Sequence, residues 1–309
     1  MTTPDLVVLC CRPDRAAAEA DPVTRDGLAA LGGRPVQFVG ARPGKEIDPA
    51  LGVVRDARRR GPAAATPGTG AQPADGQPAD GQPADGQPAD GRPGEHRDAT
   101  RDPAAGTGEG VPPAVADQPA GTPVLGRRPA DRRVVVLGDD ADLAAVVLRL
   151  LRADLLGSHQ VGYVAGRRSP VTALHSLPIG AAAARLALDG EPDLVTLVRD
   201  DNGGVLVGRA ELSPVDGPVY VDEHLLLRGR APGLVVDPDQ ERGVEVTVLH
   251  RQVLGIGRRP RTRTGRAVQI ASRVPMTVVS DGVPRSRPTD RWTLYRHTAP
   301  LRLVRGLLE

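Results

Sequence analysis

The chain has 309 residues, long enough for two domains once linkers are removed, and a formal net charge of +2, too small to draw nucleic acid through a broad field. Lys45 is the only lysine, and the excess of Ala, Gly, Pro and Arg reads as a coding bias with little functional content. The aromatics Phe38, Tyr163, Tyr220, Trp292 and Tyr295 are too few and scattered to offer a stacking platform for bases, and no nucleic-acid partner is expected.

Leu6 to Cys11 reads as a first strand, with the adjacent Cys10 and Cys11 too close for an ordinary disulfide and suited to core packing. The opening MTTPDLVVLCC lacks a basic region and a long apolar core, and no apolar run reaches the roughly 20 residues of a membrane span. A cytoplasmic protein is the expectation. Ala16 to Leu31 reads as a helix stopped by Gly32 and Gly33, and Pro35 to Val39 as a second strand, so the chain opens β-α-β. Gly40 to Lys45 is one spacer residue short of a P-loop and has Glu46 where the Mg²⁺-coordinating hydroxyl would stand, so it reads as a plain loop.

From about Gly61 to Asp131 the composition shifts to Pro, Gly, Ala, Gln and Asp, and the pentapeptide QPADG repeats unchanged from Gln72 to Gly91. With no large apolar residue to bury, the repeat cannot offset the entropy of ordering, and 61–131 is expected to be a disordered insert.

Order resumes in RRVVVLGDDADLAAVVLRLLRADLLG, Arg132 to Gly157. Val134 to Leu137 reads as a strand buried on both faces. Asp139 to Asp142 supply helix N-cap candidates, and Leu143, Val146, Val147, Leu150 and Leu151 recur at helical spacing. A strand, a tight turn and a helix N-terminus form the geometry that binds phosphate in many α/β folds. Gln160 to Ala165 is another strand, and Val171 to Asp189 a helical stretch broken near Pro178 and Gly180. The periodicity then turns alternating. Asp193–Arg199 and Gly204–Arg209 flank the turn Asp200-Asp201-Asn202-Gly203 as a hairpin. Val219–Asp222, Leu225–Arg228, Leu234–Val236, Val244–His250, Val268–Ser272, Thr277–Ser280, Trp292–Tyr295 and Leu301–Val304 read as further strands. Helices first and strands afterwards predict an α/β domain followed by an antiparallel β domain.

Several segments, taken together, resemble the diacylglycerol kinase and sphingosine kinase family of lipid kinases. VVVLGDDADLAAVV falls on the family's strand, Gly-Gly-Asp-Gly-Thr, helix pattern, with Gly138 on the first Gly and Asp140 on the Asp. SPVTALHSLPI, Ser169 to Ile179, is similar to the latter part of Gly-Thr-x-Asn-Asp-Phe-Ala-Arg-x-Leu-Gly-Ile, and Ala181–Val198 to the helix and strand that follow. GRAVQIASRVPMTVVSDGV is similar to the closing strands and their Asp-Gly-Glu signature. The resemblance implies an α/β nucleotide-binding domain, of the NAD-kinase-like and lipid-kinase type, over 1–60 and 132–192. It implies an antiparallel β-sandwich over 193–309, with the last strand free to return to the first domain. Asp140 is implied as the catalytic residue, Gly138, Asp140, Ser169 and Thr172 as cofactor-binding, Asp281 as a metal ligand, and ATP with Mg²⁺ as cofactors of any active form.

The departures bear on activity. Asp139, Ala141 and Asp142 stand where the family has Gly, Gly and Thr; Ser169 and Pro170 replace Gly-Thr; Thr172 and Ala173 replace Asn-Asp; and Cys10 to Arg15 keeps only the Pro of Asn-Pro-x-Ser-Gly. Val283 replaces the Glu that acts in the family as general base, and valine accepts no proton. The expectation is a lipid-kinase-like pseudokinase of weak or no activity that works by binding. The alternatives are an active ATP-dependent lipid kinase, and an interaction scaffold that uses the insert. Asp140 has two open readings, a helix cap or an ion ligand. Arg258, Arg259, Arg261, Arg263 and Arg266, read as lying between two strands, suit a solvated loop, an anionic lipid surface or, more weakly, a nucleic-acid backbone. The dispersed histidines offer no metal spacing, and the neighbours Ser158 and His159 are not expected to set a hydroxyl against an imidazole.

Overall fold

The computed structural model describes residues 5–53, 132–250 and 260–306, all within one compact unit. The insert expected over 61–131 lies outside the described residues. A six-stranded sheet has the order β2 (Gln37–Phe38), β1 (Asp5–Cys10), β3 (Arg132–Leu137), β4 (His159–Val164), β17 (Leu301–Gly306), β5 (Glu191–Val195). Every neighbouring pair is parallel except β5 on β17. The apolar run of β3 has its reason here: Val134 and Val136 pack with the helix face Leu143, Val146, Val147 and Leu150, while Val135 and Leu137 pack on the other side with Leu28, Ala183, Ala184 and Ala187. All four β3 residues are fully buried, each worth about 1.5–3 kcal/mol. No helix among the described residues is long and apolar enough to cross a membrane.

The helix expected over Ala16–Leu31 is two, α1 (Arg15–Ala20) and α2 (Arg25–Ala30). Pro22 falls in the break, where a residue without an N–H ends one helix, and the Thr24 hydroxyl donates back to the Ala18 carbonyl at 2.7 Å. α2 rides close on the sheet: a Cβ on Gly27 would meet Val164 Cγ1 at 2.6 Å. α3 (Asp140–Arg152) follows β3, and the stretch 171–189 resolves into α4 (Pro170–Leu174) and α5 (Gly180–Asp189).

His175, at the end of α4, is buried, and its pKa is pushed down to about 4 by burial and, next, by Arg305. It is neutral in the folded protein, whereas the unfolded imidazole titrates near 6.5. The stability this contributes is complete above about pH 6.5 and is lost as the pH falls toward 4. Between pH 7 and 4.5 the loss is expected to be about 2 kcal/mol. Urea midpoints of wild type and His175→Gln at the two pH values test this; parallel losses in both proteins would exclude His175 as the cause.

The strand expected over Asp193–Arg199 is interrupted. Thr196 donates its N–H and hydroxyl to Gln240, Leu197 packs in the core of the first sheet, and Val198 packs in the core of the second. β5 therefore joins β17, and β6 (Val198–Asp200) starts an eleven-stranded antiparallel sheet. β6 and β7 (Val205–Leu206) form the expected hairpin, with Asp200 Oδ1 accepting the N–H groups of Asn202 and Gly204 across the turn. β8 (Ala210–Ser213), β9 (Val215–Val221), β10 (His224–Ala231), β11 (Leu234–Asp239), β12 (Gly243–Val248) and β13 (Arg261–Gly265) follow. β14 (Ala267–Ser280) is one strand where two were expected. Its first half pairs with β9 and with β16 (Thr289–Arg296), its second with β8 and β15 (Val283–Pro284). Pro275 lies where the β16 ladder shifts register between Ala271 and Met276, a position that tolerates a missing donor. Residues of both halves, such as Val219, Trp292, Val236 and Val246, share one core.

Candidate functional site

The C-terminal ends of β3 and β4 face β8 and the β14–β15 turn across a cleft of about 430 Å³. Gly138, Asp140, Ser169 and Asp281 line it together, and Thr172 lies fully buried behind Ser169.

The turn after β3 is occupied by its own helix. Asp139 is the N-cap of α3, accepting the Asp142 N–H at 3.1 Å, and Asp142 accepts the Asp139 N–H in return. The cap is therefore Asp139, and Asp140 is the first helical residue. Asp142 has no exposed surface. Its Oδ1 accepts the Arg42 N–H at 2.7 Å, and its Oδ2 accepts from the Asp139 N–H and Arg12 Nη1, each at 3.1 Å. Arg12 also pairs with Asp21. Burial pushes the Asp142 carboxyl above its ordinary value, opposed by the Arg42 and Asp139 N–H groups and by Arg12. A Cβ on Gly138 would run into this side chain, with Asp142 Cβ at 2.9 Å. In open α/β sheets the ligand crevice lies outside the carboxyl ends of the strands where the order reverses, here between β1 and β3. Arg12 follows β1 and Asp142 follows β3, so an internal ion pair bridges the two segments at that point.

Asp140 joins two helix starts. Its Oδ1 accepts the hydroxyls of Tyr163 (2.8 Å) and Ser169 (2.7 Å), and its Oδ2 accepts the Val171 N–H at 3.2 Å. Burial first, and Asp140 next, push the Tyr163 phenol far above its ordinary range, so it stays a donor. Ser169 and Thr172 form the capping box of α4, with the Thr172 hydroxyl oxygen accepting the Ser169 N–H at 2.7 Å.

Asp281 and Gly282, both at positive φ (49° and 79°), make the tight turn between β14 and β15. The Asp281 carboxylate reaches across to the β7–β8 loop. Its Oδ1 accepts the N–H groups of Gly208 (2.7 Å) and Arg209 (3.1 Å), and its Oδ2 accepts that of Val207 (3.0 Å). Burial pushes its pKa up to about 7 against the pull of those donors, with nearby Asp140 adding to the rise. Val283, which the resemblance sets at the lipid kinases' Glu, pairs with Ser280 on β14 and is not among the cleft's walls.

These engagements bear on the implied cofactors. The carboxylates expected to meet Mg²⁺ already accept from buried protein donors, and among the described residues no group of three His, Cys, Asp or Glu is placed to hold a metal. The turn expected to take phosphate holds Asp142. The residues present do not fit Mg²⁺ and a triphosphate in this arrangement.

Sequence reasoning missed Arg12, Arg42 and Glu211. Glu211 extends from β8 into the cleft opposite Arg167 and Arg168 of the β4–α4 loop. Only the alternation of strand AELS, which exposes Glu211 and buries Leu212, hinted at it. Elsewhere, Arg261 and Arg263 stand within β13, not in a loop, and Arg258 and Arg259 lie outside the described residues. The Ser158 hydroxyl does meet His159 Nδ1, at 2.9 Å, against expectation. That pair sits at the start of β4, away from the cleft, with His159 Nε2 against the Leu51 carbonyl. In the P-loop-like segment, Glu46 turns back to accept the Gly44 N–H at 2.7 Å.

No protein-family model matches the chain, and no curated protein matches it. Among solved structures it is similar to a diacylglycerol kinase from Bacillus anthracis, with 12% identity over 56% of this chain and 76% of that one and a TM-score of 0.43. It is also similar to an NAD kinase from Archaeoglobus fulgidus in complex with ATP, with 12% identity over 56% and 78% and a TM-score of 0.39. Yeast NADH kinase complexed with NADH is a third, with 13% identity over 56% and 61% and a TM-score of 0.35.

Proposed function

We propose that this protein is a lipid-kinase-like chain that binds a ligand in the cleft between its two sheets and does not transfer phosphate. The observation that carries this reading is the buried Asp142 carboxylate in the turn after β3. It takes the N–H groups and the guanidinium that an incoming phosphate would need. A phosphate beside that carboxylate would meet a repulsion on the order of 3–4 kcal/mol per unit charge at an effective dielectric of about 20. Displacing Asp142 would instead break three hydrogen bonds, one of them its ion pair with Arg12.

Two measurements test the reading. Millimolar ATP with Mg²⁺ is expected to leave the melting temperature within about 1 °C, because only a ligand bound by the native state raises it. Radiolabelled ATP is expected to label no lipid in a panel of diacylglycerol, sphingosine and their analogues. Glu211 favours a second reading, an active lipid kinase, since it brings into the cleft a carboxylate able to accept a hydroxyl proton. Label transfer that disappears in Glu211→Gln would establish that reading and end the first.

A further inference from the structure

The ligand's chemistry follows from which charged groups of the cleft remain without a partner. Asp140 and Asp281 are each held by three donors, and Arg209 is clamped on Asp237 by two hydrogen bonds of 2.8 and 3.0 Å. Arg167, Arg168 and Glu211 are different: all three line the cleft, all are exposed, and no side chain of the three makes a hydrogen bond or ion pair with a described residue. Asp21, whose carboxyl Arg167 helps to hold below its ordinary value, and Arg209, which feels Glu211, exert only longer-range attractions. Arg167 and Arg168 are consecutive residues of the β4–α4 loop, and Glu211 stands on β8, on the other wall.

Resting on the reading of the cleft as a ligand site without phosphotransfer, we propose that it takes a compact phosphomonoester carrying hydroxyl groups. The phosphate sits at the rim against Arg167 and Arg168, and a hydroxyl of the other end donates to Glu211. Two guanidiniums lining one cleft offer forked donors matched to a dianionic phosphate, and an ionised carboxylate is an acceptor only, which calls for a donor at the far end. The cleft's volume, about 430 Å³, lies toward the small end of ligand pockets and favours a compact molecule. Binding at the rim also keeps the phosphate away from the turn that Asp142 fills. The same group could be free in solution or borne on a lipid, and the experiment separates the two.

Calorimetric titration of the full chain with glycerol 3-phosphate at low salt is the test, with sedimentation of vesicles containing phosphatidic acid as the second arm. Arg167→Ala/Arg168→Ala is expected to weaken binding at least tenfold. Glu211→Gln is expected to weaken glycerol 3-phosphate several-fold while leaving inorganic phosphate unchanged, and Arg185→Ala, on the exposed face of α5, should bind as wild type. Glycerol 3-phosphate binding with this pattern makes the ligand soluble; vesicle binding alone with the same arginine dependence places the phosphomonoester on a lipid. No binding in either arm, or binding indifferent to the arginine pair, overturns the proposal. Turnover of ATP would instead overturn the non-catalytic reading, and is visible separately.

Discussion

Replacing Arg12 by methionine is expected to destabilise the protein by about 3 kcal/mol, seen as a lower urea midpoint at an unchanged m-value. Methionine keeps most of the aliphatic stem and removes the charge. The Asp142 side chain is fully buried while that of Arg12 is 16% exposed, so the carboxylate would be left in the interior with only the Arg42 and Asp139 N–H groups. Arg15 and Glu19 provide the contrast. Their ion pair is more than half exposed on both sides, and Arg15→Met should change stability by well under 1 kcal/mol. The pH dependence separates lost charge from lost packing. Burial already raises Asp142, and removing Arg12 raises it further. A carboxyl whose folded pKa exceeds its unfolded value holds its proton better when folded, so stability falls as the pH rises from about 4 through the raised pKa. The deficit of Arg12→Met should therefore be large at pH 7.5 and smaller at pH 4.5. An equal deficit at both would mean that packing, not charge, was lost. Arg12→Met with Asp142→Asn should cost less than the sum of the two single changes, because the double variant no longer leaves a buried carboxylate without its cation.

What could be read from the chain, and what could not, divides along physical lines. The Val134–Leu137 run and the stripe on α3 are local periodicities, and both elements stand where those periodicities put them. The apolar spacing of Ala16–Leu31 continues across Pro22, so one helix was read where the missing N–H makes two. β13, Arg261-Thr262-Arg263-Thr264-Gly265, was invisible because an edge strand with little to bury has no apolar alternation. Motif order singled out Gly138, Asp140, Ser169, Thr172 and Asp281, and one cleft gathers all of these but Thr172. Their duties were not legible. Arg12 and Asp142 are 130 positions apart, and Asp281 lies 72 to 74 positions from the N–H groups it accepts. Spacing along a chain says which face of a helix or strand a residue occupies; it does not say which distant loop will meet that face. That Asp142 is a carboxylate at the start of α3 was visible, but its consequence depended on an arginine placed by another strand.

Asp281→Asn carries the second large expectation, a cost of about 2–3 kcal/mol at pH 5 that narrows by pH 8. The amide keeps the shape of the carboxyl group and one acceptor oxygen, but its NH₂ group must face either the Val207 N–H or those of Gly208 and Arg209. At least one buried donor is left unpaired, and a second donor is pressed against it. The pH dependence follows from the folded-state pKa of about 7, set first by burial. Between the ordinary carboxylate value and 7 the native state binds a proton that the unfolded chain has released, so wild-type stability falls as the pH rises through that window. From pH 5 to pH 8 the fall from this one group is about 2–3 kcal/mol. Asparagine does not titrate, so the variant lacks this slope and approaches wild type at pH 8. His175 and Asp142 titrate alike in both proteins, and the difference between the two curves isolates Asp281. A constant gap from pH 5 to pH 8 would mean that the carboxylate stays ionised throughout, with the three backbone donors outweighing burial. The β14–β15 turn would then hold a permanent negative charge facing Asp140, and the cleft would be more hostile to any phosphate placed deeper than its arginine rim.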